Sequence, residues 1–232
     1  MVQRIEHPKS CGVTFARDGA QRFHSALGVG TLHDIDRAVA AFPSDQAGIR
    51  LYGNRVLQPF LVASGAVGAI AASVLGPACR PVRAIFFDKT RTTNWSLGWH
   101  QDRTIVVAKR VEVEGFGPWT VKSGLLHVAP PTDVLASMVT LRVHFDPVPA
   151  TNAPLLIAPG SHKFGRIPET EVLEVVKQCG TFVCLADPGD IWLYSTLILH
   201  ASEAASEPAH RRVLQVDFGA SDLPGGLEWL GV

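Results

Sequence analysis

Within Asn94-Trp95-Ser96-Leu97-Gly98-Trp99-His100-Gln101-Asp102, two side chains stand at a spacing that can do chemistry. His100 offers a neutral nitrogen donor, and Asp102, two residues on, an anionic oxygen. In an extended segment residues two apart share a face, so the imidazole and the carboxylate would converge on one point. Together they supply two of the three ligands of a 2-His-1-carboxylate triad, whose open positions serve non-haem Fe(II) oxygen chemistry. His-x-Asp is common by chance, and it equally suits the polar face of a surface strand. The chemical reading therefore needs a distant second histidine and a group that holds a cosubstrate.

His200 is the histidine that fits, at the end of the apolar run Leu197-Ile198-Leu199. Ser202 lies two residues on, and Arg211 follows across the turn-like segment 203–210. A hairpin there would return Arg211 beside Ser202. A guanidinium next to a hydroxyl is a carboxylate site, as the far carboxylate of 2-oxoglutarate would need. The plainer reading of Arg211 is an ion pair with Glu203 or Glu207.

These residues must be positioned by the surrounding elements. The chain has 232 residues, a length that suits one large domain. Lys+Arg and Asp+Glu are both 21, so nothing global points to nucleic acid or to an anionic membrane. Cys11, Cys79, Cys179 and Cys184 show no zinc-ribbon spacing and suggest free thiols in a reducing cytoplasm. The start of the chain lacks the apolar core of a signal peptide. The apolar run Leu61 to Leu75 is shorter than the ~20 residues of a membrane span.

Residues 13–42 are expected to be helical, with Thr31 capping a segment in which Leu32, Ile35, Val39 and Phe42 recur at helical spacing before Pro43. A second helix is expected from Pro59 to Leu75, stopped by Gly76-Pro77. Strands are expected at Val82–Phe87, His100–Lys109, Met138–Phe145, Leu155–Ala158, Phe182–Leu185, Ile191–Leu193, Leu197–His200 and Arg212–Phe218. Glu169–Gln178 reads as a helix, and Val111–Pro131 as a long loop of the kind that forms lids or binding surfaces. Short strands with Gly/Pro turns behind a helical portion predict a mainly β jelly-roll with helices packed outside. We expect a single domain over 1–232, helical over about 13–76 and with its jelly-roll core over about 82–218.

The sequence resembles the phytanoyl-CoA dioxygenase family of Fe(II)/2-oxoglutarate oxygenases. The matching pieces are Trp99-His100-Gln101-Asp102, Asn152-Ala153-Pro154-Leu155 leading to Pro159-Gly160-Ser161-His162-Lys163, Gly189-Asp190, and His200-Ala201-Ser202 with Arg211. They occur in the family's order over about residues 82–218. The resemblance implies a double-stranded β-helix (jelly-roll, cupin-like) fold and Fe(II), 2-oxoglutarate and O2 as cofactor and cosubstrates. It implies iron ligation by His100, Asp102 and His200. Arg211 and Ser202 would hold 2-oxoglutarate, with Lys89 nearby. Ala153 departs from the family, which has Gly there. The carboxylate of Asp102 favours hydroxylation, since halogenating relatives lack it.

For substrate, Thr140, Arg142 and His144 alternate along one strand and share a face. If that face is interior, Arg142 needs a partner: cosubstrate, substrate, or an acid such as Asp217. Lys89, Arg91 and Arg103 near the same mouth suggest a substrate bearing carboxylate or phosphate. Trp99, Arg142, His144, Trp119 and His127 are the candidate substrate contacts, with no catalytic group beyond the metal ligands. The expected activity is hydroxylation of a small, anionic metabolite with release of succinate and CO2. The alternative is a non-catalytic metal- and ligand-binding jelly-roll, a sensor or pseudo-enzyme. A zinc hydrolase built on the same three ligands would lack a general base and leave Arg211 unexplained.

Overall fold

The computed structural model describes residues 12–40 and 48–232. Cys11, His7, Phe42 and Pro43 lie outside the described residues. The described residues form six α-helices: α1 (Phe15–Asp18), α2 (Val29–Val39), α3 (Gln58–Leu61), α4 (Gly68–Leu75), α5 (Thr132–Ala136) and α6 (Val172–Cys179). The strands begin with β1 (Ala20–Phe23), β2 (Ile49–Leu51), β3 (Arg80–Lys89), β4 (Leu97–His100), β5 (Ile105–Val106), β6 (Trp119–Lys122) and β7 (Leu125–Val128). They continue with β8 (Val139–His144), β9 (Leu155–Ile157), β10 (Phe182–Cys184), β11 (Ile191–Ser195), β12 (His200–Ser202) and β13 (Arg211–Gly219).

Pairing is antiparallel throughout, in a major sheet β1-β11-β8-β13-β3-β2, a minor sheet β10-β9-β12-β4 and a small sheet β5-β7-β6. This is the mainly β jelly-roll expected from the strand pattern. The outer face of the major sheet carries Ala84, Phe86, Val139, Leu141, Val143, Leu214 and Val216. They pack against Ile35 and Val39 of α2, Leu61 of α3 and Ala71 of α4. Burying each large aliphatic side chain here contributes about 1.5–3 kcal/mol. The alternate residues of the same strands face inward, and that face holds the polar groups.

The sequence expectations fail in instructive places. Within the expected helical stretch 13–42, the described residues 13–40 are not one helical unit: the edge strand β1 pairs with β11, and α2 begins at Val29, before Thr31. The expected helix Pro59–Leu75 is two helices. The chain folds back between them so tightly that a Cβ on Gly68 would sit 2.1 Å from the Val62 carbonyl oxygen. The major sheet thus takes two strands, β1 and β2, from the portion read as helical. The strand expected over His100–Lys109 is broken, since β4 ends at His100 and pairing resumes only at Ile105. The long loop 111–131 contains the hairpin β6–β7, turned at Ser123-Gly124 with both residues at positive φ.

Candidate active site

His100 ends β4 and His200 opens β12, and the two stand directly opposite each other in the β4–β12 ladder. Cross-strand partners have Cβ atoms about 4.5–5.5 Å apart, which explains why their ring centroids are only 4.3 Å apart. Each ring is oriented the same way. His100 Nδ1 donates to the Gly98 carbonyl at 2.8 Å, and His200 Nδ1 to the Ile198 carbonyl at 3.0 Å. A carbonyl can only accept, so Nδ1 carries a proton, and in the neutral ring Nε2 keeps its lone pair. That is the tautomer and the backbone anchoring of a metal-bound imidazole. Burial, with His100 as neighbour, pulls the His200 imidazole down to about 4, so it remains neutral at pH 7.

Asp102 lies just beyond β4, in irregular backbone, so alternation along a strand does not aim it. Two other contacts do. Gln101 is buried and clamps this segment: Nε2 donates to the Gly165 and Leu197 carbonyls at 2.8 and 2.6 Å, and Oε1 accepts from Ile167 N at 2.9 Å. Arg83 of β3 donates from Nη2 to Asp102 Oδ2 at 3.0 Å and from Nε to Asp217 Oδ2 at 2.5 Å. Asp102 is held ionised: burial opposes its charge, but Arg83 and the two imidazoles bring it down to about 2. As the side chains stand, no group of three or more His, Cys, Asp and Glu among the described residues could hold a metal ion. Asp102 is turned toward Arg83, and Oδ1 accepts no side-chain or backbone hydrogen bond among the described residues. The donor set still suits Fe(II), with two free imidazole nitrogens, one anionic oxygen and anchored backbones.

These groups line a cavity of about 850 Å³ between the major and minor sheets. Its cosubstrate end is built differently from the expected hairpin. β12 and β13 belong to different sheets, and Ser202 and Arg211 come together across the barrel on the Ala153 carbonyl, which accepts from both. Arg211 is opposite Lys89 in the β13–β3 ladder. Lys89 Nζ donates to Ser202 Oγ at 3.1 Å and to the Trp95 and Glu203 carbonyls at 2.6 and 3.3 Å. Arg211 pairs with neither Glu203 nor Glu207; Nη1 donates to the Ala153 carbonyl at 2.8 Å and Nε is buried without a partner. Arg142 donates to Gln215 Oε1 at 2.8 Å. Asp217 is not its partner, being taken by Arg83 and, at 3.0 Å, by Thr140. Lys89, Arg142 and Arg211 are thus buried together without a carboxylate partner among the described residues. Burial and their mutual repulsion lower Lys89 to about 7 and Arg211 to about 9. Burying three cations this way is costly unless an anion joins them.

Of the substrate candidates, Trp99, Arg142 and His127 line the cavity. His144 and Trp119 do not. His144 shares the inward face with Thr140 and Arg142, but both its ring nitrogens are buried without partners and burial keeps it neutral. Trp119 packs in the cluster of Val107, Phe116 and Leu135, beneath Arg110. Arg103 lines the cavity bound to Glu169, whereas Arg91 lies in a separate pocket beside His210. Sequence reasoning missed Arg50, Arg83, Lys122 and Gln215, all of which line the cavity. Arg83 and Lys89 alternate with Ile85 and Phe87 on one face of β3, a signal that was present in the sequence.

Pro159–Lys163 is structural. Ser161 Oγ accepts from Leu199 N at 2.8 Å, which fixes the backbone just before His200. Asp190 anchors β1 by pairing with Arg22 and accepting from Ser25 N at 2.7 Å.

Residues 66–213 match the family model described as Phytanoyl-CoA dioxygenase (PhyH). The chain belongs to the phytanoyl-CoA dioxygenase family. It is a 2-oxoglutarate-dependent oxygenase, with Fe(II), 2-oxoglutarate and O2 as cofactor and cosubstrates. Among solved structures it is similar to EctD from S. alaskensis in its apoform (TM-score 0.63, 16% identity, 89% of this chain and 74% of that chain). It is also similar to the non-haem α-ketoglutarate-dependent epimerase SnoN from nogalamycin biosynthesis, solved with Fe3+, α-ketoglutarate and nogalamycin RO (TM-score 0.63, 14% identity, 91% and 88%). HygX from Streptomyces hygroscopicus, solved with nickel, 2-oxoglutarate and hygromycin B, is a third (TM-score 0.59, 13% identity, 89% and 85%). At these identities the likeness is one of fold. No curated protein matches the chain in sequence. Among the described residues no helix is long and apolar enough to cross a membrane.

Proposed function

We propose that the protein hydroxylates a small metabolite, with His100, Asp102 and His200 as the iron ligands and Arg211, Arg142, Lys89 and Ser202 as the 2-oxoglutarate site. When Fe(II) is bound, the chemistry it supplies is oxidative decarboxylation of 2-oxoglutarate by O2 to succinate and CO2, coupled to insertion of one oxygen atom into a substrate C–H bond. The chain's own residues supply position and charge. Gln101 fixes the backbone between the two ligands on that segment, and Arg83 keeps Asp102 ionised. The Gly98 and Ile198 carbonyls hold both imidazoles in the binding tautomer.

One observation carries the reading. Arg142 and Arg211, buried without a carboxylate partner among the described residues, line with His100 and His200 a cavity large enough for two small molecules, and Lys89 backs them through Ser202. A dicarboxylate satisfies the cations at one end while its keto-acid end reaches the imidazoles. Arg142 therefore belongs with the cosubstrate rather than the substrate. A cytoplasmic location fits the free thiols of Cys79, Cys179 and Cys184.

The test is an anaerobic titration of the protein with Fe(II) and 2-oxoglutarate. A weak visible charge-transfer band is expected, followed by succinate on admitting air, and neither should appear in Asp102→Ala. A non-catalytic ligand-binding role would leave Asp102 locked on Arg83, and no succinate would form under any condition.

A further inference from the structure

A transverse row of side chains crosses the inner face of the major sheet. Trp192, Arg142, Gln215, Ile85 and Arg50 are successive register partners on β11, β8, β13, β3 and β2. Three strand spacings of about 4.8 Å put the Arg50 backbone roughly 14 Å from that of Arg142. The row has cations near both ends, and the cosubstrate uses one of them.

The charges lining the cavity show what is left over. Arg83 is satisfied by Asp102 and Asp217, and Arg103 by Glu169. Arg142 and Arg211 are taken by the cosubstrate. Arg50 and Lys122 also line the cavity, and neither has a carboxylate partner among the described residues. Arg50 Nη1 donates to Ser123 Oγ at 3.0 Å, at the tip of the β6–β7 hairpin, while its Nε is buried with no partner. The hairpin that brings Lys122 is thereby tied to the edge strand that carries Arg50.

His127 of β7 completes the group. It is 1% exposed and lines the cavity. Its Nδ1 donates to the Leu125 carbonyl at 2.9 Å, so Nε2 carries the lone pair, and that atom is buried with no partner. A buried acceptor left unpaired is costly, and a donor group on a ligand would remove that cost. Burial and the cations Lys122, Arg83 and Arg50 lower the imidazole and keep it an acceptor.

We propose that Arg50, Lys122 and His127 form a second anion subsite, one that grips the substrate. The ligand it fits is an organic anion, phosphate or carboxylate, with a hydroxyl or N–H donor beside its charged group. The cations take the anion and His127 Nε2 accepts from the donor. The assignment of this end to substrate rests on the oxygenase reading above; the affinity for an anion does not.

The test uses inorganic phosphate and glycerol 3-phosphate as probes, titrated calorimetrically into the protein with 2-oxoglutarate saturating and no metal added. Wild type is expected to bind phosphate, and Lys122→Glu and Arg50→Gln each to weaken it about tenfold or more. Lys122 is on the surface, so its variant keeps the fold. Glycerol 3-phosphate should bind roughly three- to tenfold more tightly than phosphate. That advantage should vanish in His127→Phe and persist in His127→Gln, which keeps an acceptor. Absence of phosphate binding in wild type, or equal binding by Lys122→Glu, overturns the subsite. Loss of phosphate binding in Arg211→Met but not in Lys122→Glu overturns it too, since the ion has then gone to the cosubstrate end. An unchanged glycerol advantage in His127→Phe rejects the role of His127. Failure of 2-oxoglutarate to bind wild type would sink the cosubstrate assignment instead, and the comparison of Lys122→Glu with Arg211→Met would still read this subsite.

Discussion

Arg211→Met is the sharpest test of the cosubstrate end, because it predicts opposite signs with and without ligand. In the unliganded protein Arg211 is 2% exposed, has no carboxylate partner among the described residues and stands beside Arg142. Replacing a buried, uncompensated charge with an apolar chain of similar reach removes a desolvation penalty, so the unliganded melting temperature should hold or rise. With 2-oxoglutarate the effect reverses. A charge-assisted hydrogen bond is worth about 1.5–3 kcal/mol, equivalent to roughly 12- to 140-fold in Kd at about 1.4 kcal/mol per decade. At a ligand concentration of about 100 times the wild-type Kd, binding stabilises wild type by about 2.7 kcal/mol. The same concentration stabilises the variant by only about 0.3–1.3 kcal/mol. At about 2–4 °C per kcal/mol for a chain of this size, the wild-type shift of roughly 5–11 °C should shrink to roughly 1–5 °C. Thermal melts of both proteins, with and without 2-oxoglutarate, read all four numbers. An undiminished ligand shift in Arg211→Met would refute the cosubstrate assignment. An unliganded melting temperature several degrees lower would refute the view that Arg211 is held at a cost.

Other expectations follow from particular contacts. His100→Ala and Asp102→Ala should each abolish 2-oxoglutarate-dependent succinate release while the secondary structure by circular dichroism stays intact; turnover in either removes that residue from the ligand set. Ala153 sits at φ 51°, and its carbonyl receives Arg211. A left-handed conformation costs a non-glycine residue about 1–2 kcal/mol, offset by about 0.4–1 kcal/mol of extra chain entropy in glycine. Ala153→Gly should thus melt no lower than wild type and bind 2-oxoglutarate equally well; a drop beyond a few degrees rejects the strain. Lys89, lowered to about 7 by burial and by Arg211 and Arg142, is largely neutral above that pH when no anion is present. A bound dianion favours the charged form and raises its pKa, so between about pH 7 and 10 binding should take up a proton and weaken as pH rises. Calorimetry at pH 8.5 in two buffers of different ionisation enthalpy measures the uptake, which should be absent in Lys89→Met.

The parts of this site that the sequence made legible are those encoded locally. The strands around Phe86, Leu141 and Leu214 are patterns of neighbouring residues, and the structure keeps them, whereas the strand expected over Leu197–His200 begins only at His200. The misreadings come from long-range packing. β1 and β2 are segments of four and three residues, too short to show a strand pattern, and they become strands because β11 and β3 offer open edges. Leu61–Leu75 has the composition of one helix but doubles back at Gly65 and Gly68, where backbone meets backbone. Ser202 and Arg211 do meet, but across two sheets instead of through a hairpin. The hydrophobic pattern could not distinguish these routes, because both bury the same side chains.

Asp102 shows why a ligand motif is not yet a site. Strand alternation in the tripeptide would aim both side chains at one point, yet the strand stops at His100. What positions Asp102 is remote in sequence: Gly165, Ile167 and Leu197 hold Gln101, and Arg83 holds the carboxylate itself. Arg83 also binds Asp217, so one guanidinium sits between two carboxylates. Those two acids differ: Asp102 is lowered, while burial raises Asp217. A cation arriving at His100 and His200 competes with Arg83 for Asp102 but leaves the Arg83–Asp217 pair in place. Arg83 can therefore release Asp102 without becoming a buried, unpaired charge, whose cost would otherwise oppose metal binding. On this reasoning Asp217→Asn should weaken Fe(II) binding, although Asp217 is no ligand, because Arg83 would then cling to Asp102. An unchanged Fe(II) affinity in Asp217→Asn would show that Arg83 and Asp102 are not in that competition.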